Sequence, residues 1–594
     1  MHGAEDGGDP DHHRITAAQL DELCGGGGGP ATIRTLWSGQ RSRRLLLIDT
    51  VMSQALADPA ALGPLPPPSA AWAALTAADE VASEACTRLL LHPQVGAWAA
   101  YVLRRARGRA ASEAPFWVDA GVVHTLALLA GARAALPWRT LLPARDGHVM
   151  LPALGTARFP GLPRWSCVEA TTGAGEIRLR AGGTEVVVPD DPGREAPGWW
   201  PLRRLVAGDD VRLSVFLDDL DPYRELADPV GPDRLGAAEA ERWSRLLDGA
   251  WALLSRYHRD TAEALAAAVV TVVPLPSYGS GASRSASTGE AFGSVMTSPP
   301  LDEVDLAVTL VHEFQHIKLG GLTHLIPLAD ERDAPRPVLY APWRDDPRPL
   351  PGLLQGIYAF SGIAEFWRVR RHGVADRDRP VADFEFAYAR GQVETALAQV
   401  AGAPELTDAG RRLVSGLSAR LASWRGEHVD PDMGTVAGLL AAGHRAEWRL
   451  RHLRPDPGRV VALTRRWPVL DGTALAALPA TIEPDPRLVW SLGWQQRVRS
   501  YAYQGASHGS PAGEAALLSG ELTTARAAYA KAVDADPGDL RAWAGLSLTA
   551  GAGEPLRDRP EVVRACYLAL RDRGVEAGPE AVADALREVA GSGE

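Results

Sequence analysis

Cysteine is scarce and scattered in this chain. Its four cysteines, Cys24, Cys86, Cys167 and Cys566, lie far apart and form no CxxC pair, which excludes a disulfide framework and a thiolate zinc knuckle. Positive charge is short as well. The formal net charge is −11, and a chain of that sign has no general attraction for phosphate backbones or anionic membrane surfaces. Long apolar runs are missing: no stretch reaches the roughly 18 uninterrupted residues that a membrane helix needs. The opening residues, MHGAEDGGDPDHH, carry neither the basic start nor the apolar run of a secretory signal. Nucleic acid and membrane are therefore not expected as partners, and a cytoplasmic location is expected.

What is present describes a folded protein. At 594 residues the chain exceeds what one core organises, which implies two to four structural units. A hydrophobic fraction of 46% and a charged fraction of 23% are globular values. A polar leader (1–14) precedes a helical region (15–146) that contains Pro64 to Pro68 as a loop. The glycine run from Gly25 lacks a preceding strand and a Gly-Lys-Ser/Thr ending, so it reads as a helix connection and not as a phosphate loop. Residues 147–235 turn to β-branched runs with turn signals, and a small antiparallel sheet is expected there, starting near His148.

A region from 236 to 375 then carries one long helical pattern from Ala237 to Val270. It continues with strand candidates at Val270 to Pro274 and Phe292 to Thr297, and with a helix starting near Leu301 behind Asp302, Glu303 and Asp305. Helical patterns fill 376–510, and the tail, 511–594, holds one tetratricopeptide-like repeat marked by Gly520, Tyr529, Pro537 and Trp543. One copy builds no solenoid, so a terminal helical pair is expected. The expected class is mainly α with a small antiparallel β portion, α+β, with a metal site between two helices.

The chemistry concentrates at His312-Glu313-Phe314-Gln315-His316. Residues four apart on an α-helix lie one turn apart on the same face, so two imidazoles can address one cation, with Glu313 beside them. Imidazole suits zinc and iron, whereas magnesium and calcium prefer oxygen. The competing reading is a pair of satisfied histidines on a partly buried helix. A third ligand is needed, and Glu365, on a helix expected from Leu353 to His372, is the candidate; a capping or surface carboxylate is its bland alternative. His324, Glu290, Asp330 and Glu331 are weaker candidates.

Two histidines and one carboxylate are both a hydrolytic zinc set and the facial triad of non-haem iron oxygenases, and spacing does not separate them. In the first case Glu313 is the general base for a metal-bound water; in the second it orients a ligand or a water. An oxygenase using a 2-oxo acid also needs a guanidinium for the distal carboxylate. Arg344 and Arg348, in the Pro-rich stretch between the two helices, are the candidates, with Arg284 as a third; surface pairing with Asp345 or Asp346 is the competing reading of the first two.

Beyond the five-residue motif, Leu310-Val-His-Glu-Phe-Gln-His-Ile-Lys-Leu, Ala291-Phe-Gly-Ser-Val, Trp343-Arg, Leu354-Gln-Gly-Ile-Tyr-Ala-Phe and the stretch from Leu20 to Leu47 resemble segments of a known family. These are bacterial HExxH proteins of ribosomal peptide maturation, some fused to radical SAM cyclophane-forming enzymes. The resemblance spans about 14–370 and implies an Fe(II)- and 2-oxoglutarate-dependent peptide β-hydroxylase of largely helical fold, with His312 and His316 as iron ligands, Glu365 carried over less firmly, and aspartate as the target by analogy. Its partners would be a ribosomal precursor peptide and a separate radical SAM maturase, since no CxxxCxxC occurs in this chain. One position departs from the family pattern: Phe360 stands where a polar residue, often His, is expected. A zinc metallopeptidase and a non-catalytic scaffold with a helical docking tail are the alternatives.

Overall fold

The computed structural model of the chain describes residues 13–57, 63–173, 175–225, 227–276, 284–330, 338–468, 470, 478–485, 492–504 and 511–587. The leader up to residue 12, residues 277–283 of the loop before the motif, and Glu331 lie outside the described residues. The chain divides into two compact units, 1–327 and 328–594. It is mostly helical, 57%, with about 13% strand, an α+β composition as expected. No described helix is long and apolar enough to cross a membrane.

In the first unit, α1 (Ala17–Cys24) opens on Thr16, whose hydroxyl accepts the Gln19 amide while the Gln19 side chain accepts the Thr16 amide. Two orphan donors of the first turn are thereby satisfied. The glycine run joins α1 to α2 (Pro30–Ala57), and α3 (Pro68–Leu90), α4 (Pro93–Ala106), α5 (Phe116–Ala120) and α6 (Val122–Arg133) follow. Apolar on all sides, α6 packs against α3 and against a seven-stranded sheet.

That sheet is antiparallel, in the order β6-β5-β4-β1-β2-β3-β7. It comprises β1 (Trp138–Arg145), β2 (His148–Leu151), β3 (Gly155–Arg158), β4 (Trp165–Gly173), β5 (Glu176–Ala181), β6 (Thr184–Val187) and β7 (Trp199–Pro201). Leu142, Val168, Leu179 and Trp199 meet Trp98 and Leu126 in its core. Burial alternates along β4 and β5, the period-two pattern of strands with one covered face. The sheet begins at Trp138, ahead of the boundary expected near His148.

A second sheet contains β8 (Arg203–Ala207), β9 (Leu213–Leu217), β10 (Thr271–Pro274), β11 (Ser285–Ala286) and β12 (Ser294–Thr297), in the order β11-β12-β10-β9-β8. It corrects the expectation of a wholly antiparallel β portion: β9, β10 and β12 run parallel, and only the outer strands β8 and β11 are antiparallel to their neighbours. The reason lies in the crossover, because parallel strands need a long connection. Helices α7 (Ala237–Tyr257) and α8 (Arg259–Ala268) supply it between β9 and β10. These two helices replace the single one expected, the chain breaking at His258, where φ is −134° and ψ 46°. Central strands β10 and β12 are buried along nearly their whole length, as strands covered on both faces should be. Then comes α9 (Glu303–Thr323), which packs against α2, α7, α8 and the β11–β12 side of this sheet.

In the second unit a short ladder of β13 (Val338–Leu339) and β14 (Arg348–Pro349) leads into α10 (Leu350–Arg370). Next come α11 (Arg379–Val400), α12 (Asp408–Ala422) and α13 (Pro431–His452), with α11 packed between α10 and α13. A second ladder, β15 (Leu453–Pro455) with β16 (Ala480–Ile482), flanks α14 (Pro457–Thr464). The C-terminal helices are α15 (Leu492–Gln504), α16 (Ala512–Leu518), α17 (Leu522–Ala535), α18 (Leu540–Leu548), α19 (Pro555–Asp558), α20 (Pro560–Arg571) and α21 (Pro579–Arg587). The repeat-like residues serve packing here. The Tyr529 ring fills the hollow at Gly545, where a Cβ would stand 2.2 Å from it, and buried Trp543 donates its indole N–H to the Pro537 carbonyl at 3.2 Å.

Candidate metal centre

Helix α9 starts where its sequence places it. The Asp302 carboxylate accepts the amides of Val304 and Asp305 at 2.9 and 2.8 Å, and Glu303 and Asp305 add negative charge at the positive end of the helix dipole. Thirteen of its twenty-one residues are buried, among them Leu306, Leu310, Val311, Phe314 and Ile317. The helix therefore sits inside the first unit, and whatever polar groups it carries inward need partners.

His312 and His316 come together as their spacing requires, with ring centroids 4.7 Å apart and planes at 84°. Burial, and next the neighbouring His316, hold the His312 pKa well below its ordinary value. The ring is then neutral and keeps a lone pair for a cation, the form in which imidazole ligates metals. Glu313 is 1% exposed; its Oε1 lies 3.9 Å from His312 Nε2 and its Oε2 has no hydrogen-bond partner among the described residues. Two nitrogen donors and one under-satisfied carboxylate thus share a single turn. Among the described residues, no three His, Cys, Asp or Glu side chains are grouped so as to hold a metal ion. By donor type and geometry, His312 and His316 fit two positions of a zinc or iron site.

The other candidates have defined surroundings. In the second unit, Glu365 accepts from Arg368 with both oxygens, at 3.0 Å each, and Arg420 stands 3.5 Å away; Arg368 also reaches Glu427 at 2.9 Å. Arg344 and Arg348 both turn to Asp346, at 2.6 and 3.2 Å, which is the pairing weighed against their role in oxo-acid binding. Arg284 is exposed, and its amide donates to Ser298 Oγ at 2.9 Å. In the first unit, Glu290 is paired with Arg104 at 2.6 Å, and His324 Nδ1 accepts from Gln40 at 2.8 Å. Asp330 donates its amide to the Glu405 carbonyl at 2.8 Å. Phe360 stacks on Trp343, centroids 4.6 Å apart at 16°, and so packs the loop before α10 onto α10 itself.

Sequence reasoning passed over Lys318. The residue is 2% exposed, and its ammonium donates to the carbonyls of Gly26 and Gly27 at 2.9 and 2.7 Å and lies 4.9 Å from the centre of the Phe314 ring. The glycine run is thereby explained: its carbonyls converge on a cation two residues beyond His316, and the loop ties α1 and α2 to the motif helix. One signal was available, since Lys318 and Lys531 are the only lysines in a chain that otherwise uses arginine. A slender ammonium fits between two backbone carbonyls where a planar guanidinium does not.

Compared with models of known protein families and with curated proteins, the sequence matches none.

Proposed function

We propose that this chain is an Fe(II)- and 2-oxoglutarate-dependent hydroxylase acting on a side-chain β carbon, aspartate by analogy, of a ribosomally made precursor peptide. The observation that carries the metal part is the half-buried imidazole of His312 edge-on to His316 on one helical turn. The oxidative part rests on the family resemblance. When bound, iron and 2-oxoglutarate would supply an oxidation in which 2-oxoglutarate loses CO2 to become succinate, with one atom of O2 in the succinate and the other inserted into the substrate C–H bond. His312 and His316 on α9, with Glu365 on α10 as the third donor, are the residues proposed to hold the metal. Arg344 or Arg348 would bind the distal carboxylate, and a separate radical SAM maturase is a partner of the same peptide.

A peptide substrate is supported by β11. As the outermost strand it leaves one edge without a strand neighbour among the described residues. Arg284 accepts the Ser298 amide, so in the alternation of an antiparallel pair the next residue, Ser285, turns its N–H and C=O away from β12. An extended peptide can add to such an edge through main-chain hydrogen bonds, and α9 packs beside it.

The second reading is a zinc metallopeptidase, favoured by one observation: the buried Glu313 carboxylate, with an oxygen lacking a partner, beside His312. That is where a general base for a metal-bound water would stand. Anaerobic loading with Fe(II), followed by incubation with precursor peptide, 2-oxoglutarate and O2, separates the readings. The hydroxylase releases succinate in step with peptide that gains one oxygen atom. Fragments without succinate establish the peptidase, and no stoichiometric metal after reconstitution leaves a non-catalytic scaffold. His312→Ala removes most metal affinity. Glu365→Gln lowers metal stoichiometry if the carboxylate is a ligand, and leaves it intact if pairing with Arg368 and Arg420 is its whole role.

A further inference from the structure

Three carboxyl groups crowd the turn that leaves β9: Asp218, Asp219 and Asp221 are all buried, at most 2% exposed. Asp219 is neutralised by Arg203 and Arg234, at 3.0 and 3.2 Å. Asp218 and Asp221 hold the turn itself. Asp218 Oδ1 accepts the amides of Leu220 and Asp221 at 3.2 and 2.9 Å, and Asp221 Oδ1 accepts that of Tyr223 at 2.8 Å. The Arg224 guanidinium beside them is spent on the carbonyls of Asp221 and Gly231, at 2.9 Å each. Two carboxylates buried together, with the nearby guanidinium committed elsewhere, repel one another and lose hydration, so the pair retains a proton. Burial raises the pKa of both carboxyls, and the charge of Asp218 raises that of Asp221 further.

What the turn positions is Tyr223. Its hydroxyl donates to Asp119 Oδ1 at 2.6 Å. It lines two cavities, of about 60 and about 230 Å³, and so stands in the partition between them.

We propose that Asp218 and Asp221 form a proton-operated catch: with one proton on the pair the turn 218–224 holds Tyr223 against Asp119, and release of that proton to solvent frees the turn and the tyrosine. A carboxyl that binds its proton more tightly in the closed turn than in the open one favours closure at low pH, and closure is lost as pH rises. The catch is independent of the metal chemistry.

Other ionisable groups surround the pair. Asp119 is held by Arg105 and Arg145 as well as by Tyr223. Burial pushes the pKa of His92, before α4, down to about 3 and that of His124, on α6, down to about 4. Asp146 and His148 line the smaller cavity, and Tyr101, Arg104, Glu225, Asp228 and Glu290 the larger. His148→Gln is therefore the control for an exposed imidazole.

The test is hydrogen–deuterium exchange of the full-length protein between pH 5 and 8, read on fragments spanning 218–225 and corrected for the intrinsic rate. Opening of the turn should rise by up to about tenfold per pH unit, the slope set by loss of one proton, while fragments from β1 to β4 show no such slope. Asp221→Asn keeps an oxygen for the Tyr223 amide but has no proton to release, so its slope should vanish. Asp218→Asn carries the same expectation and replaces it if Asp221→Asn fails to fold. Tyr223→Phe breaks the bond to Asp119 and leaves the carboxyl pair, so opening should increase about equally at every pH with the slope retained. His148→Gln should retain the slope as well. The proposal is overturned if opening of wild type is independent of pH, if the slope survives in a folded Asp221→Asn or Asp218→Asn, or if it disappears in His148→Gln or Tyr223→Phe. An equal slope in the β1 to β4 fragments, which would mark a global effect, overturns it too.

Discussion

Replacing Lys318 by Met removes a charge and keeps nearly all of the aliphatic stem, so the effect is set by what the ammonium holds. It donates to Gly26 and Gly27 at 2.9 and 2.7 Å and faces the Phe314 ring at 4.9 Å. Hydrogen bonds from a charged donor contribute about 1.5–3 kcal/mol each. The two acceptors differ, however. Gly27 is exposed and its carbonyl can turn to water, whereas Gly26 is buried, and an acceptor stranded there costs about 1–3 kcal/mol. The ring contact adds about 1 kcal/mol. Against this, the variant no longer desolvates an ammonium, a penalty that cancels a good part of the gain.

The balance is a loss of about 2 kcal/mol for Lys318→Met. Lys318→Ala also discards buried methylenes, at about 0.8 kcal/mol apiece, and should lose about twice as much in all. Urea unfolding followed by circular dichroism reads both values from the midpoint shift. Amide exchange over Ala17–Cys24 should accelerate in the Met variant, because the loop holding α1 to α9 is released. If Lys318→Met unfolds within about 0.5 kcal/mol of wild type and α1 exchange is unchanged, the carbonyl clamp contributes nothing.

Other substitutions test other parts of the molecule. Burial pushes the pKa of His124 down to about 4, so it stays neutral in the folded chain while the unfolded chain takes up a proton below about 6.5. Its stabilising contribution is intact at pH 7 and is lost as pH falls through that window, so the stability gap between wild type and His124→Gln should shrink by about 2 kcal/mol from pH 7 to 5. Taking the gap cancels the opposite pH dependence of Asp218 and Asp221, whose carboxyl pKa values are raised by burial; a gap independent of pH refutes the assignment. A Cβ at Gly96 would stand 2.1 Å from the Glu290 carbonyl and 2.3 Å from the Arg44 guanidinium carbon, so Gly96→Ala should cost about 3 kcal/mol in urea unfolding. Gly356→Ala would drive a methyl to 2.2 Å from the Trp343 ring; loss of Trp343–Phe360 stacking should show as a red shift in tryptophan emission.

The sequence by itself determined the features whose causes are local. Helical periodicity and the acidic cluster at Asp302 to Asp305 placed α9, and a four-residue spacing was enough to set His312 and His316 on one face. The tail was legible as helical for the same reason, although the repeat-like pair Leu522–Ala535 and Leu540–Leu548 is followed by three further helices and is not terminal. The pairing of Arg344 and Arg348 with Asp346 was also within reach, being two residues away in each case, and was weighed as the competing reading. What only the tertiary structure decided depends on groups distant in the chain. The parallel order of β9, β10 and β12 follows from the α7–α8 crossover, and alternation of side chains does not encode strand direction. The partners of Lys318 lie almost three hundred residues upstream. Periodicity reports which face of an element is buried; what that face meets is settled by packing, where distant residues must satisfy one another's hydrogen bonds and volume at the same time.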